Sequence, residues 1–522
     1  MAEENYPQPP QLPQATQVGN RVNPDTIVNV APPMASGTVL FPTTVDQYRL
    51  NDYDYYRNLF LGHHYEAFRI RIGDERYNRA YNKLRYVMVN FAGLISKVMA
   101  DMLFTEPIVV KVPDGDQDFI DGLWYENKMD MQCYESALSN SYYGDALFKL
   151  RVGKRMPNDD NSSIIIEDTT PKIYFPKLDG FNVRAEPSEV VLAWTFRSGN
   201  LFYLRQEIHQ PGKILNKVYR MEGNKVMEEV DPSILGMNLK PEEPTGIDDL
   251  MVVHTPNWKT GDRHFGLSDY HDLDSLFYAI NNRMTKVDNI LDKHGDPILS
   301  VPPGILDDKG QVKKKALGVI EVEPGTEGKP EYIVWDASLD AAFKEVEKTL
   351  EFMYLVGEIA PDLLGMGQGI SESGRALKFK LMRTLAKTQR KRLYYDYAIK
   401  EVLYRAQVLA KEHGLKINGK TLQGDPVVPE IDWKDGLPID THEQQDDEIK
   451  AIDAGITSKK AAIMRLYNVD EKAADKMLAE IDKEKPAITL PSMNLGKNNQ
   501  DDPNNLQPGK PGDPQNPKPG AK

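Results

Sequence analysis

The chain has 522 residues, more than one ordinary hydrophobic core holds, so roughly two to four domains are expected. Hydrophobic residues at 40% and charged residues at 27% are the proportions of a globular protein. The 64 Lys and Arg against 78 Asp and Glu give a formal net charge of −14. This excludes a surface that grips nucleic acid throughout, because phosphate neutralisation needs an excess of cations. A chain so charged can still surround DNA without holding it.

Cys133 is the sole cysteine, so no intramolecular disulfide forms and a reducing compartment is expected. It lies among Met131, Tyr134 and Ala137 and reads as a small buried apolar side chain rather than a nucleophile. The N-terminal Met-Ala-Glu-Glu lacks the basic and apolar regions of a signal peptide. No apolar run is long enough for a membrane span. The expectation is a protein that is cytosolic at synthesis.

In chain order, residues 1–44 are rich in Pro, Gln and Asn and read as a disordered arm, as do residues 486–522. Helical character starts near Thr44. Arg79 to Phe104 carries Leu84, Val87, Phe91, Leu94, Ile95 and Val98 at helical spacing and stops before Pro107. Ile108–Val112 reads as a short strand, and Phe119–Asn127 and Met129–Tyr143 as helices, the second ending at Gly144. Strands follow over Leu147–Val152, Ile164–Glu167, Lys172–Phe175, Val190–Phe196, Leu201–His209, Lys217–Met221 and Met251–His254. The fold class is α+β.

Ser268 reads as an N-cap. Leu273, Leu276, Phe277, Ile280, Met284, Val287 and Leu291 follow on one stripe as far as Gly295. Three short strands are expected at Ile298–Val301, Leu317–Val322 and Tyr332–Trp335. A second helix starts near Ser338 and carries Leu339, Phe343, Val346, Leu350, Met353 and Gly357. Two helices flanking a small β insertion make a stalk with a tip. The second helix ends near Ala360-Pro361, and a loop with Gly365, Gly367 and Gly369 follows. A third helix begins near Ser371 and extends to Glu412, about 63 Å at 1.5 Å per residue. Asp440 to Asp482 gives one or two helices, with Gly455 to Ser458 as break and cap.

Several segments imitate chemistry. Gly414-Leu-Lys-Ile-Asn-Gly419-Lys420-Thr421 fits the phosphate-loop pattern. A phosphate loop needs a strand before it and a helix after it. Here a helix precedes, and the stretch through Pro426 and Pro429 cannot be helical, so Asn418-Gly419 reads as a hairpin turn. Asp114, Asp116 and Asp118 begin like a calcium loop, but Phe119 stands where glycine is required and Tyr125 where the bidentate Glu belongs. Histidine spacing suits no metal, no carboxylate pair is specified as acid and base, and no cofactor or catalytic residue is expected. From Arg375 to Arg405 ten basic residues oppose Asp396 and Glu401. Two readings stay open there: a face near nucleic acid or an acidic neighbour, and a solvated helix surface.

Ser373-Gly374-Arg375-Ala376-Leu377-Lys378, opening a long helix after a glycine-containing loop, resembles the portal proteins of long-tailed bacteriophages. Asn90 and the helix running to Leu103-Phe104-Thr105-Glu106-Pro107 resemble that family's N-terminal helix and its stop. Trp124-Tyr-Glu-Asn127, Gly144-Asp145-Ala146, and Phe265-Gly266-Leu267-Ser268-Asp269 followed by a helix with Asn281 agree in order, over roughly residues 45–480. The family motif after the loop falls on Ser373, Gly374, Ala376, Leu377 and Lys378.

The resemblance implies a portal-type ring subunit. Between the disordered arm of residues 1–44 and the tail of 486–522 it places a wing (45–267), stem helices (268–295 and 336–360) and a small β clip (296–335). It further places a tunnel loop (361–370), a long wing helix with strands (371–437) and an α-helical crown (438–485). It implies a ring of probably twelve copies at one capsid vertex of the virion, assembled in the host cytoplasm. Double-stranded DNA would pass through during packaging and ejection. The implied partners are the terminase large subunit, a head-completion or adaptor protein, and the major capsid and scaffolding proteins, with no membrane. Leu364, Gly365, Met366, Gly367, Gln368, Gly369 and Ile370 would face DNA. Glu345, Glu347, Glu351 and Glu358 would line the lumen. The competing readings are a nucleotide-dependent enzyme built on Gly414–Thr421 and another capsid or adaptor protein.

Overall fold

A computed structural model describes residues 39–72, 86–113, 115–156, 162–182, 184–295, 298–300, 315–316, 319–320, 331–333, 339–364, 366, 374–434, 441–467, 469 and 471–484. They fall into two compact units, Met1–Pro438 and Ile439–Lys522. Helix and sheet are mixed throughout the first. The expected arm and tail lie outside the described residues, apart from the end of the arm from residue 39.

Helix α1 (Thr44–Phe60) starts where expected. The Thr43 hydroxyl accepts the Asp46 N–H at 3.2 Å, which satisfies one of the free donors of the first turn. After α2 (His64–Ile72), residues 79–85 of the helix expected over Arg79–Phe104 lie outside the described residues. Residues 86–90 are non-helical, and α3 runs over Phe91–Phe104. Asn90 is the reason: its side-chain oxygen accepts the Gly93 N–H at 2.9 Å and starts the helix there.

β1 (Val109–Lys111), α4 (Gln117–Glu126) and α5 (Met129–Tyr143) follow. β2 (Asp145–Gly153) sits between β3 (Ser163–Thr169) and β10 (Val252–Pro256) in a three-stranded sheet. A second, antiparallel sheet runs in the order β4 (Tyr174–Lys177), β5 (Glu189–Ser198), β6 (Leu201–Gln210), β7 (Lys213–Glu222), β8 (Lys225–Glu229). β9 (Glu242–Pro244) also pairs with β7. Polar, charge-rich β8 and β9 carry too little apolar alternation to be read as strands beforehand.

α6 (Asp274–Gly295) begins six residues after Ser268. Ser268 instead shapes a preceding turn, its hydroxyl accepting the Tyr270 N–H at 3.0 Å. β11 (Ile298–Ser300) pairs with β14 (Glu331–Ile333). Where one strand over Leu317–Val322 is expected, β12 (Lys315–Ala316) and β13 (Val319–Ile320) face each other as a hairpin. α7 (Asp340–Gly357) then packs antiparallel to α6: Arg283 pairs with Glu345, while Leu273 lies beside Gly357.

α8 (Gly374–Glu412) has 39 residues and is the longest element. Leu381 near its start joins the core built from α1, α2, α3, α6 and α7. Tyr395, Ile399, Val402, Ala406 and Leu409 in its second half join the core built from α4, α5 and the three-stranded sheet. One helix therefore closes two cores, and its apolar residues recur at steps of three and four because both lie on the same side of it. β15 (Glu430–Asp432) returns to pair with β1.

The described residues of the second unit form three helices, α9 (Thr441–Asp453), α10 (Lys459–Tyr467) and α11 (Glu471–Glu484), where one or two are expected over Asp440–Asp482. Gly455, with φ 69°, makes the first break, and Ser458 caps α10 by accepting the Ala461 N–H at 3.1 Å.

Gly144 is the tightest backbone position between α5 and β2. Its φ is 91°, and a Cβ there would come within 2.7 Å of the Leu267 and Ser268 backbone. Neither conformation nor space admits a side chain. Gly144→Ala is expected to cost at least about 2 kcal/mol, read as a lower urea midpoint; an unchanged midpoint would refute the packing argument.

Candidate functional site

The expected tunnel loop begins at an elbow between α7 and α8. α7 ends at Gly357 rather than near Ala360, because Glu358 adopts the left-handed conformation (φ 55°) and the Ile359 N–H bonds to the Tyr354 carbonyl at 3.1 Å. A non-glycine residue at that φ needs support, and α8 supplies it. The Thr384 hydroxyl donates to the Glu358 carbonyl at 3.0 Å and accepts the Ala360 N–H at 2.8 Å. Lys387 Nζ donates to the Gly357 carbonyl at 2.9 Å, placing a cation on the helix C-terminus. Arg390 and, at 3.3 Å, Arg383 hold the Glu358 carboxylate.

Beyond the elbow, Pro361–Leu364 forms a single 3-10 turn, with Leu364 half-buried against the first core. Met366 is exposed, its sulfur 2.7 Å from the Tyr354 hydroxyl. Gly365, Gly367, Gln368, Gly369, Ile370 and Ser373 lie outside the described residues. Gly374 and Ala376 belong to the first turn of α8, Leu377 is half-buried there, and Lys378 is exposed.

Of the four glutamates expected in a lumen, Glu347 and Glu351 are four apart on one exposed face of α7. Lys348 pairs with Glu351 at 2.6 Å. Glu345 faces α6 and pairs with Arg283. Glu358 is taken up by the elbow.

The centre of the arrangement is Asp269, which sequence reasoning did not single out as a functional residue. Its carboxylate is fully buried, 3.1 Å from Lys387 and 2.6 Å from Lys391. Ser141 Oγ donates to it at 2.6 Å and Asn257 Nδ2 at 3.2 Å. Lys391 also donates to Asn257 Oδ1. Burial opposes ionisation of Asp269, but the two lysines and the donated hydrogen bonds outweigh it and hold the carboxyl well below the ordinary range. A cavity of about 420 Å³ opens beside the cluster, lined by Trp258, Asp272, Leu355, Val356, Arg383 and Arg390 among others. The only sequence signals were Asp269 at the end of the Phe265–Asp269 motif and the spacing of Lys387 and Lys391, one helical turn apart.

The basic run on α8 is divided between the inside of the fold and its surface. Lys387, Lys391 and Arg392 are buried. Arg392 donates to the Met102 carbonyl, and Arg405 to the carbonyls of Leu250 and Val252. These four cations are spent inside the fold or against it, whereas Lys378, Lys380, Arg383 and Arg390 of the same run are exposed.

The phosphate-loop imitation is a hairpin. Ile417 and Lys420 exchange backbone hydrogen bonds of 2.9 and 2.8 Å across Asn418 (φ 50°) and Gly419 (φ 75°), and Lys420 pairs with Asp118. Asp116 accepts the N–H groups of Gln423 and Gly424 at 2.6 and 3.0 Å. The acidic residues of the calcium-loop imitation thus latch the segment after the hairpin. Cys133 is fully buried in α5, and burial pushes its thiol far up.

Asp269→Asn leaves two lysines facing a neutral group and is expected to cost about 3–5 kcal/mol at pH 7. A folded pKa below the unfolded value gives stability that is present above about pH 4 and lost as pH falls further. The gap between wild type and variant in urea unfolding should therefore narrow from pH 5 to pH 3; a constant gap would mean that the charge is not what matters.

The model of the phage portal proteins described as SPP1 Gp6-like matches residues 43–487. No curated protein matches the chain. The match covers the whole succession from α1 to the three helices of the second unit, including the Asp269 cluster and the elbow. The chain belongs to the SPP1 Gp6-like family of phage portal proteins, structural capsid components for packaging viral DNA.

Proposed function

We propose that this chain is the subunit of a ring at one capsid vertex, with DNA passing through the central channel during packaging and ejection. Within it, residues 45–267 and 371–437 act as the wing, 268–295 and 336–360 as the stem, and 296–335 as the clip. Residues 361–370 act as the tunnel loop and 438–485 as the crown. The observation that carries this reading is the antiparallel pair α6 and α7, with the paired strands β11 and β14 at the end where the helices are joined. That unit is a stalk with a β tip, suited to present a docking surface away from the body of the subunit.

In this reading the clip docks the terminase large subunit, which hydrolyses ATP, and later the head-completion protein. The wing meets the major capsid and scaffolding proteins. Ring copies number twelve. Glu347 and Glu351 fit a lumen lining because they remain exposed on one face, whereas Glu345 and Glu358 hold the stem and elbow together. A net charge of −14 per chain suits a channel that lets a polyanion slide. A strongly cationic lumen would hold DNA with steep salt dependence.

The loop Leu364–Ile370 springs from the pinned elbow and contains three glycines, which permit backbone conformations closed to other residues. Met366, Gln368 and Ile370 offer little base readout, as a sequence-independent channel requires.

Electron microscopy of the purified chain should show rings with a central channel; monomers under all assembly conditions would overturn the proposal. Shortening Gly365–Gly369 should leave rings intact yet lower the yield of DNA-filled heads, and normal packaging by that variant would remove the loop from the mechanism.

A further inference from the structure

α8 is buried on one side along most of its described length, yet its first half is apolar on the other side too. Phe379, Met382, Leu393 and Tyr397 are 78%, 60%, 74% and 53% exposed. Their spacing, with Ala386 between them, places all four within about a third of the helix circumference. That face is opposite Thr384, Thr388, Lys391 and Tyr395, which are buried. From Phe379 to Tyr397 the stripe is about 27 Å long at 1.5 Å per residue. Leu355 and Val356 at the end of α7 are also exposed, and they line the same cavity as Arg383 and Arg390 of α8. A single exposed leucine needs no explanation, but an exposed run of this length marks a contact surface.

We infer that this face, the first half of α8 with the last turn of α7, seats a second copy of this chain. The inference rests on the ring reading and adds the surface that makes the ring. A closed ring is built from heterologous contacts, in which each copy offers two different surfaces that fit one another. Here one surface has an apolar centre with Arg383 and Arg390 at its rim. A chain of net charge −14 supplies the acidic counterpart readily. Among its described surfaces, the end of α6 has that composition: Leu291 is exposed, with Asp288 and Asp292 beside it. Duplex DNA fits the α8 face poorly. Phe379, Met382 and Leu393, which occupy its centre, offer phosphate no donor.

The test is the double variant Phe379→Ser with Leu393→Ser, with Tyr125→Ser, which is exposed on α4, as control. Both substituted side chains project from the subunit, so thermal unfolding of the dissociated chain should match wild type. Sedimentation velocity across a concentration series should show that the double variant needs about 100-fold more protein to form rings, roughly tenfold for each anchor lost. The control should assemble as wild type does. Rings at the wild-type concentration would overturn the inference. So would unchanged rings with weakened retention of a duplex DNA probe, which would assign the face to nucleic acid. A wild-type chain that stays monomeric throughout would sink the ring reading itself, an outcome distinct from failure of this surface.

Discussion

The structure depends on one buried ionic contact, the Asp269 carboxylate against Lys387 and Lys391 of α8. Three charges out of water are tolerable only when they face one another and their remaining hydrogen-bonding capacity is used. That requirement fixes the rotation of α8 about its axis and its register along it. A slip of one residue would swing the lysines about 100° away and leave Asp269 unpaired. Ser141 at the end of α5 and Asn257 after β10 complete the cluster. The end of α5, the end of the three-stranded sheet, the entry to α6 and the middle of α8 are thereby tied at one point.

The same helix carries the constraint to the elbow. Lys387 reaches Asp269 with its charge and the Gly357 carbonyl with a hydrogen bond, so the pin that positions α8 also ends α7. Thr384, Arg383 and Arg390 reinforce the turn and hold Glu358 in a backbone conformation that glycine usually occupies. The segment that leaves this support therefore has a fixed origin at the elbow.

Charge follows the same logic. The basic run of α8 seems at odds with an acidic protein until its partners are traced. Its cations neutralise Asp269 and Glu358 and satisfy backbone carbonyls at Met102, Leu250 and Val252. What remains exposed on its first half is an apolar stripe, with Lys378, Lys380, Arg383 and Arg390 around it.

The sequence by itself determined most element positions. The helix Met129–Tyr143, the span of α8, the hairpin at Asn418-Gly419 and the Gly455–Ser458 break were all legible, because periodicity and turn chemistry act over a few residues. The family was legible too, from motifs in order. Tertiary structure decided the rest. It left residues 86–90 non-helical and started α3 at the Asn90 cap, moved the start of α6 past Ser268, and placed an αL glutamate where α7 stops. It also turned Lys387 and Lys391 of α8 inward. Asp269 and Lys391 are 122 residues apart, and nothing local distinguishes a lysine that will face water from one that will face a buried carboxylate. That outcome depends on which surfaces meet, and the meeting is set by two cores closing on one helix.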